Sequence, residues 1–119
     1  MSGSKSRRKG HNFERRIANE LCAAGYDAKR NLEEVRSGNS GDIEINAPLT
    51  FQLKCYEKVA PWRQAVREAE EVARPLNHYA VAITKVNNDE PMVHMPWHDF
   101  LEILGLTDVR SALQEGPTW

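Results

Sequence analysis

The chain has 119 residues, 40% of them hydrophobic, with a formal net charge of −1, which fits one domain around a single core. No apolar run approaches the roughly 20 residues of a membrane span; the opening Ser, Lys, Arg and Gly residues hold no hydrophobic signal segment. Cys22 and Cys55 stand apart, which argues against a CxxC metal knuckle or a disulfide framework and makes a reducing cytoplasm the expected setting.

The charge is unevenly spread along the first element. Lys5, Arg7, Arg8, Lys9, Arg15 and Arg16 crowd the first helix and its approach, with Glu14 the only acid among them, whereas Glu68, Glu70 and Glu71 gather later. A basic edge on a near-neutral chain points to a localised anion-binding face; the competing reading is a solvated basic tail, with residues 1–9 flexible. Asn12 can cap a helix over residues 12–24, which Gly25 stops. Phe13, Ile17, Ala18, Leu21 and Cys22 form its apolar stripe. Glu14 lies at the edge of that stripe, near the core.

A short strand is expected over residues 26–30, then a Ser- and Gly-rich loop over 33–41. Two further strands follow, Gly41-Asp42-Ile43-Glu44-Ile45-Asn46 and Phe51-Gln52-Leu53-Lys54-Cys55. Side chains alternate across a strand, so Ile43 and Ile45 share one face and Asp42 and Glu44 the other. Phe51, Leu53 and Cys55 likewise oppose Gln52 and Lys54. A tight reversal near Pro48 would join the two as a hairpin, with Asp42 opposite Lys54, Ile43 opposite Leu53 and Glu44 opposite Gln52. One face is then apolar, and the other carries every polar group.

Pro61 fits the first turn of a second helix, residues 62–73, which Pro75 ends. Residues 79–86 read as a buried strand, 87–89 as a turn, 92–97 as another strand and 99–104 as the start of a final helix, with a loose tail from about 112–114. The order is α-β-β-β-α-β-β-α without repeats or a second domain. The fold class is α/β, a small mixed sheet covered by helices.

Taken together, the run Arg8-Lys9-Gly10-His11-Asn12-Phe13-Glu14-Arg15-Arg16-Ile17-Ala18, the loop Arg36-Ser37-Gly38, Gly41-Asp42 and Gln52-Leu53-Lys54 resemble the archaeal-type Holliday junction resolvases of the PD-(D/E)XK nuclease superfamily, which also occur in viruses. The resemblance spans about residues 7–100. It implies a restriction-endonuclease-like core, a homodimer, and binding of four-way DNA junctions with symmetric paired nicking that depends on Mg²⁺, for which Mn²⁺ would substitute. No membrane and no small-molecule cofactor are implied. By position, Glu14 matches the helix acid that organises the metal site, Asp42 the metal-binding aspartate and Lys54 the catalytic lysine. Ser37 matches the loop serine near the scissile phosphate, with Ser40 as the alternative. The metal set implied is Glu14, Asp42, Gln52 and the Leu53 carbonyl, and products with 5′-phosphate and 3′-hydroxyl ends are expected.

Two departures stand out. Gly41 replaces the usual proline, and Gln52 replaces the usual glutamate. Glutamine still offers a carbonyl oxygen to a hard cation but removes one negative charge, which is compatible with a natural variant, an inactivating change or lost catalysis. Glu44, opposite Gln52 in the expected register, is a candidate to restore the carboxylate; a solvent-facing strand acid is the competing reading. Without the resemblance, Asp42 and Lys54 also fit a plain cross-strand ion pair.

Arg7, Arg8, Lys9, Arg15, Arg16, Lys29, Arg30 and Arg36 are the candidate DNA contacts, of the kind that fix position on phosphates without reading sequence. His94 and His98, astride Pro96, lack an acid or cysteine to complete a zinc set and read as surface or capping histidines. Gln64 reads as a surface glutamine within reach of the site, and Trp97 as core.

Overall fold

The computed structural model describes residues 2–32 and 41–119, with side chains from residue 7 onward. The elements are α1 (Ser2–Ala23), β1 (Ala28–Arg30), β2 (Ile43–Ile45), β3 (Leu49–Tyr56), α2 (Trp62–Leu76), β4 (Tyr79–Val86), β5 (Met92–His94), α3 (Trp97–Leu104) and α4 (Thr107–Leu113). This is the mixed α/β arrangement expected, with one more helix at the end. α1 begins at Ser2, ten residues before the expected cap. Its basic side chains are good helix formers and carry the helix through Gly3 and Gly10, so Asn12 lies inside the helix, where its side chain accepts a hydrogen bond from Arg15 (3.2 Å).

The sheet register differs from the expected hairpin. β2 pairs antiparallel with β1, placing Lys29 opposite Glu44 and Arg30 opposite Ile43. β3 pairs parallel with β4, and β4 antiparallel with β5. A single parallel bridge, Gly41 to Phe51, links the two-stranded ribbon to the three-stranded sheet among the described residues. Side-chain parity, used to choose the hairpin, is satisfied equally well by this arrangement. Backbone partners decide the matter. The Asn46 N–H donates to Asp27 O (3.1 Å) and the Tyr79 N–H to Pro48 O (2.8 Å), so the chain leaves the ribbon at residue 46 and joins β4 from residue 48. Glu44 accordingly lies 3.6 Å from Lys29 and is not the partner of Gln52.

β3 carries two different faces. Phe51 and Leu53 are buried with Phe13, Ile17 and Ala18 of α1, Ala28, Ile43, Val81 and Ile83. The opposite face, with Thr50, Gln52 and Lys54, lies under α2. The buried residues of α2 are Ala65, Ala69 and Ala73, a spacing of four that keeps them on one side, and two of them meet Ala80 of β4. Small side chains on both partners let helix and sheet approach closely. α2 continues past Pro75 and closes at Asn77, whose left-handed backbone (φ 57°) lets its N–H reach the carbonyls of the last turn.

Asp99, in the first turn of α3, is 1% exposed and fastens that helix to the rest. Its two oxygens take the Arg74 guanidinium at 2.9 and 3.0 Å, and Oδ2 also accepts the Ala80 N–H at 2.8 Å. Trp97, expected in the core, is 69% exposed, because the acid two residues later occupies the inward position of the turn. His94 is neither a surface nor a capping residue. Its ring stacks on Trp62 with centroids 5.5 Å apart and its Nε2 lies 2.8 Å from the Thr84 hydroxyl, and burial lowers its pKa. His98 is exposed and pairs with Glu102 one turn on.

Candidate active site

The site is built from the turn that enters β2. Gly41 has φ +71°, and a Cβ there would stand 2.5 Å from the Phe51 carbonyl oxygen. Proline, locked near −65°, cannot adopt that backbone, so glycine replaces the proline of the resembling motif for a local steric reason. The turn delivers Asp42 against the edge of β3. The Asp42 N–H donates to Phe51 O (2.9 Å), and Asp42 Oδ2 accepts the Leu53 N–H (2.8 Å). Asn31, itself 3% exposed, holds the turn from the other side: its N–H donates to Asp42 O (3.1 Å) and its Nδ2 to Gly41 O (2.9 Å). Sequence reasoning gave no signal for Asn31, a lone asparagine before a loop.

The N–H and C=O of one strand residue leave on the same edge. Leu53 donates to Asp42, so its carbonyl also opens towards Asp42 and away from β4. A buried carboxylate and a backbone carbonyl, both hard oxygen donors, are thus brought together, and the amide oxygen of Gln52 belongs to the adjoining residue. Among the described residues no group of three or more His, Cys, Asp or Glu side chains converges as a cage. Mg²⁺ seldom requires one, since it keeps several waters and uses one or two carboxylates. The donor chemistry fits such an ion.

Lys54 lies two residues beyond Gln52 on the same face of β3, but its charged neighbour is Glu68 of α2, at 3.0 Å, and not Asp42 across a hairpin. Tyr56 follows on that face; burial pushes its hydroxyl pKa up, with Lys54 lowering it and Glu68 raising it. On this helix the sequence pattern singles out Gln64 and not Glu68. That glutamine is exposed, and the acid one turn later is the one that faces the sheet. Its signal was available: position 68 falls at the edge of the stripe of residues 65, 69 and 73 that packs on β3 and β4.

Glu14, 8% exposed, approaches from the α1 side and is tied to the ribbon by Arg30 Nε (3.3 Å). Arg30, opposite Ile43, therefore joins the buried side of the site instead of extending an outer surface. Arg7, Arg8, Arg15 and Lys29 are exposed. Lys9 is half-buried and hydrogen-bonds Asn87, while Arg16 pairs with Glu20 at 2.8 Å. Ser37, Ser40 and Arg36 lie outside the described residues. No helix among the described residues is long and apolar enough to cross a membrane.

No family model matches the sequence, and no curated protein sequence matches it. Among solved structures, the chain is similar to Hjc of Archaeoglobus fulgidus, a Holliday junction resolvase from an archaeal hyperthermophile. The two share 21% identity and a TM-score of 0.55, over 72% of this chain and 76% of that one. At that identity the likeness is one of backbone architecture: the mixed sheet with its helices is arranged as in that resolvase.

Proposed function

We propose that this chain is a structure-selective endonuclease that nicks four-way DNA junctions by metal-assisted phosphodiester hydrolysis. The observation that carries this reading is the seating of the Asp42 carboxylate on the Leu53 N–H, at the edge of the strand that presents Gln52 and Lys54. The likeness of fold to a junction resolvase supports it.

In this reading Asp42, the Leu53 carbonyl and the Gln52 amide oxygen would hold a divalent ion, with Glu14 contributing from α1. When bound, such an ion polarises a phosphoryl oxygen and lowers the pKa of a bound water. Lys54 supplies a positive charge to the oxygens of the scissile phosphate as negative charge develops on them. Asn31 and Gly41 position Asp42, and Arg30 positions Glu14. A four-way junction presents two equivalent strands, and a two-fold dimer would present two such sites at a fixed separation.

The testing experiment is cleavage of an end-labelled four-way junction beside its matching linear duplex, with Mg²⁺ and then Mn²⁺. Paired symmetric nicks on the junction alone are expected. Equal cutting of both substrates would assign a duplex nuclease instead. Tight junction binding without nicks would make the chain a binding protein, the reading that Gln52 favours.

The exposed cations Arg7, Arg8, Arg15 and Lys29 would contact phosphates. Four such contacts give a log–log salt slope of about −3.6, or roughly 100-fold weaker binding between 50 and 200 mM salt. Junction affinity measured across that range checks it, and a flat response would remove the basic face from the interface.

A further inference from the structure

We infer that Glu68 of α2 supplies the negative charge that Gln52 leaves missing, acting on Lys54 as a positioning residue. This rests on the nuclease reading above. Three observations carry it. Glu68 lies at the edge of the sheet-facing stripe of α2, between the buried Ala65 and Ala69. Its Oε2 is buried and has no hydrogen-bond partner among the described residues. Yet that same oxygen is 3.0 Å from Lys54 Nζ, close enough for charge attraction although the alignment is wrong for a hydrogen bond. The side chain as a whole is 34% exposed, so it is the inward-turned oxygen, shielded from water, that loses solvation, and the group it meets there is the lysine.

The location fits the vacancy in the motif. Gln52 and Lys54 leave β3 on the same face, and α2 covers that face. Glutamine at position 52 cannot balance the charge of Lys54, whereas Glu68 reaches the lysine from above the strand. Glu44, the other candidate for this role, is engaged with Lys29 on the ribbon. The charge has moved from a neighbour along the strand to a neighbour on the helix, and with it the group that holds the lysine in position.

Three variants test this in the junction-cleavage assay: Glu68→Gln, Gln52→Glu, and the two combined. Glu68→Gln keeps the shape and removes the charge. It is expected to lower kcat by about 10- to 100-fold, the scale of losing a partner that orients a reacting group, while junction affinity stays within about threefold. Adding Gln52→Glu is expected to restore at least about tenfold, because the charge returns from the strand side. Thermal melting of each variant separates this from a packing defect, which a change at residue 52 would not repair. If Glu68→Gln cleaves within about threefold of the parent, or if Gln52→Glu does not rescue it, the inference is overturned and the nuclease reading stands. A parent chain that nicks no junction overturns both.

Discussion

Replacing Asp42 with asparagine is expected to lower junction cleavage by about 100- to 1000-fold, the range seen when one preorganised charge or dipole is removed from a reacting site. The substitution is informative because it preserves the bonds that seat residue 42 on β3. An asparagine Oδ1 can still accept the Leu53 N–H that Asp42 now holds at 2.8 Å, and the backbone bond from residue 42 to Phe51 is untouched. What disappears is the charge. Asp42→Ala is a different experiment: it leaves the Leu53 N–H without its acceptor and costs about 1–3 kcal/mol of stability. Cleavage rates and melting curves of the two variants together distinguish a reacting carboxylate, lost in both, from a structural one, lost only in the alanine variant. An asparagine variant that nicks at the parental rate would remove Asp42 from the chemistry.

The second large effect concerns stability and lies away from the site. Asp99→Ala is expected to cost about 2–3 kcal/mol, lowering the melting temperature by roughly 10 °C. The carboxylate is buried and takes three hydrogen bonds, two from Arg74 and one from the Ala80 N–H. Removing it leaves the Ala80 amide unpaired under α3. The upper end of the range for breaking a buried pair does not apply, because the Arg74 side chain is 46% exposed and regains water.

The same residue sets a pH dependence. Burial alone would raise the Asp99 pKa, but the Arg74 and Ala80 hydrogen bonds outweigh it and hold the carboxyl below its ordinary 3.8. With a depressed native pKa, the stabilisation is fully present above about pH 4 and is lost as pH falls through the native value. Melting followed from pH 6 down to pH 2 should therefore fall on the acid side in the parent and fall less in Asp99→Asn.

Much of this architecture could be read before any coordinates. Strand β4 was expected over the residues it occupies, because a largely apolar run bounded by turn residues leaves few alternatives. The burial of Glu14 followed from its place on the helical stripe. The pairing of β2 was misread because parity fixes which face a side chain takes and says nothing about which strand lies alongside. That choice was made chiefly by backbone groups of Asp27, Asn46, Pro48 and Tyr79, with one side chain, Asn46, whose Oδ1 accepts the Asp27 N–H. The Arg74–Asp99 clasp joins residues 25 apart in sequence, each an unremarkable charge in its own helix, so it became legible only when α2, β4 and α3 were seen together. Gly41 is the opposite case: its departure from proline was visible at once, and the positive φ supplied the reason.

Because Asp42 is fastened to main-chain groups of Phe51 and Leu53, its position is indifferent to the side chains on β3. Residue 52 can change from acid to amide without displacing the aspartate, and a compensating acid can arise on another element. The constellation can therefore be redistributed in evolution one residue at a time, with each intermediate retaining a seated aspartate, so that a short motif fades from the sequence sooner than from the protein.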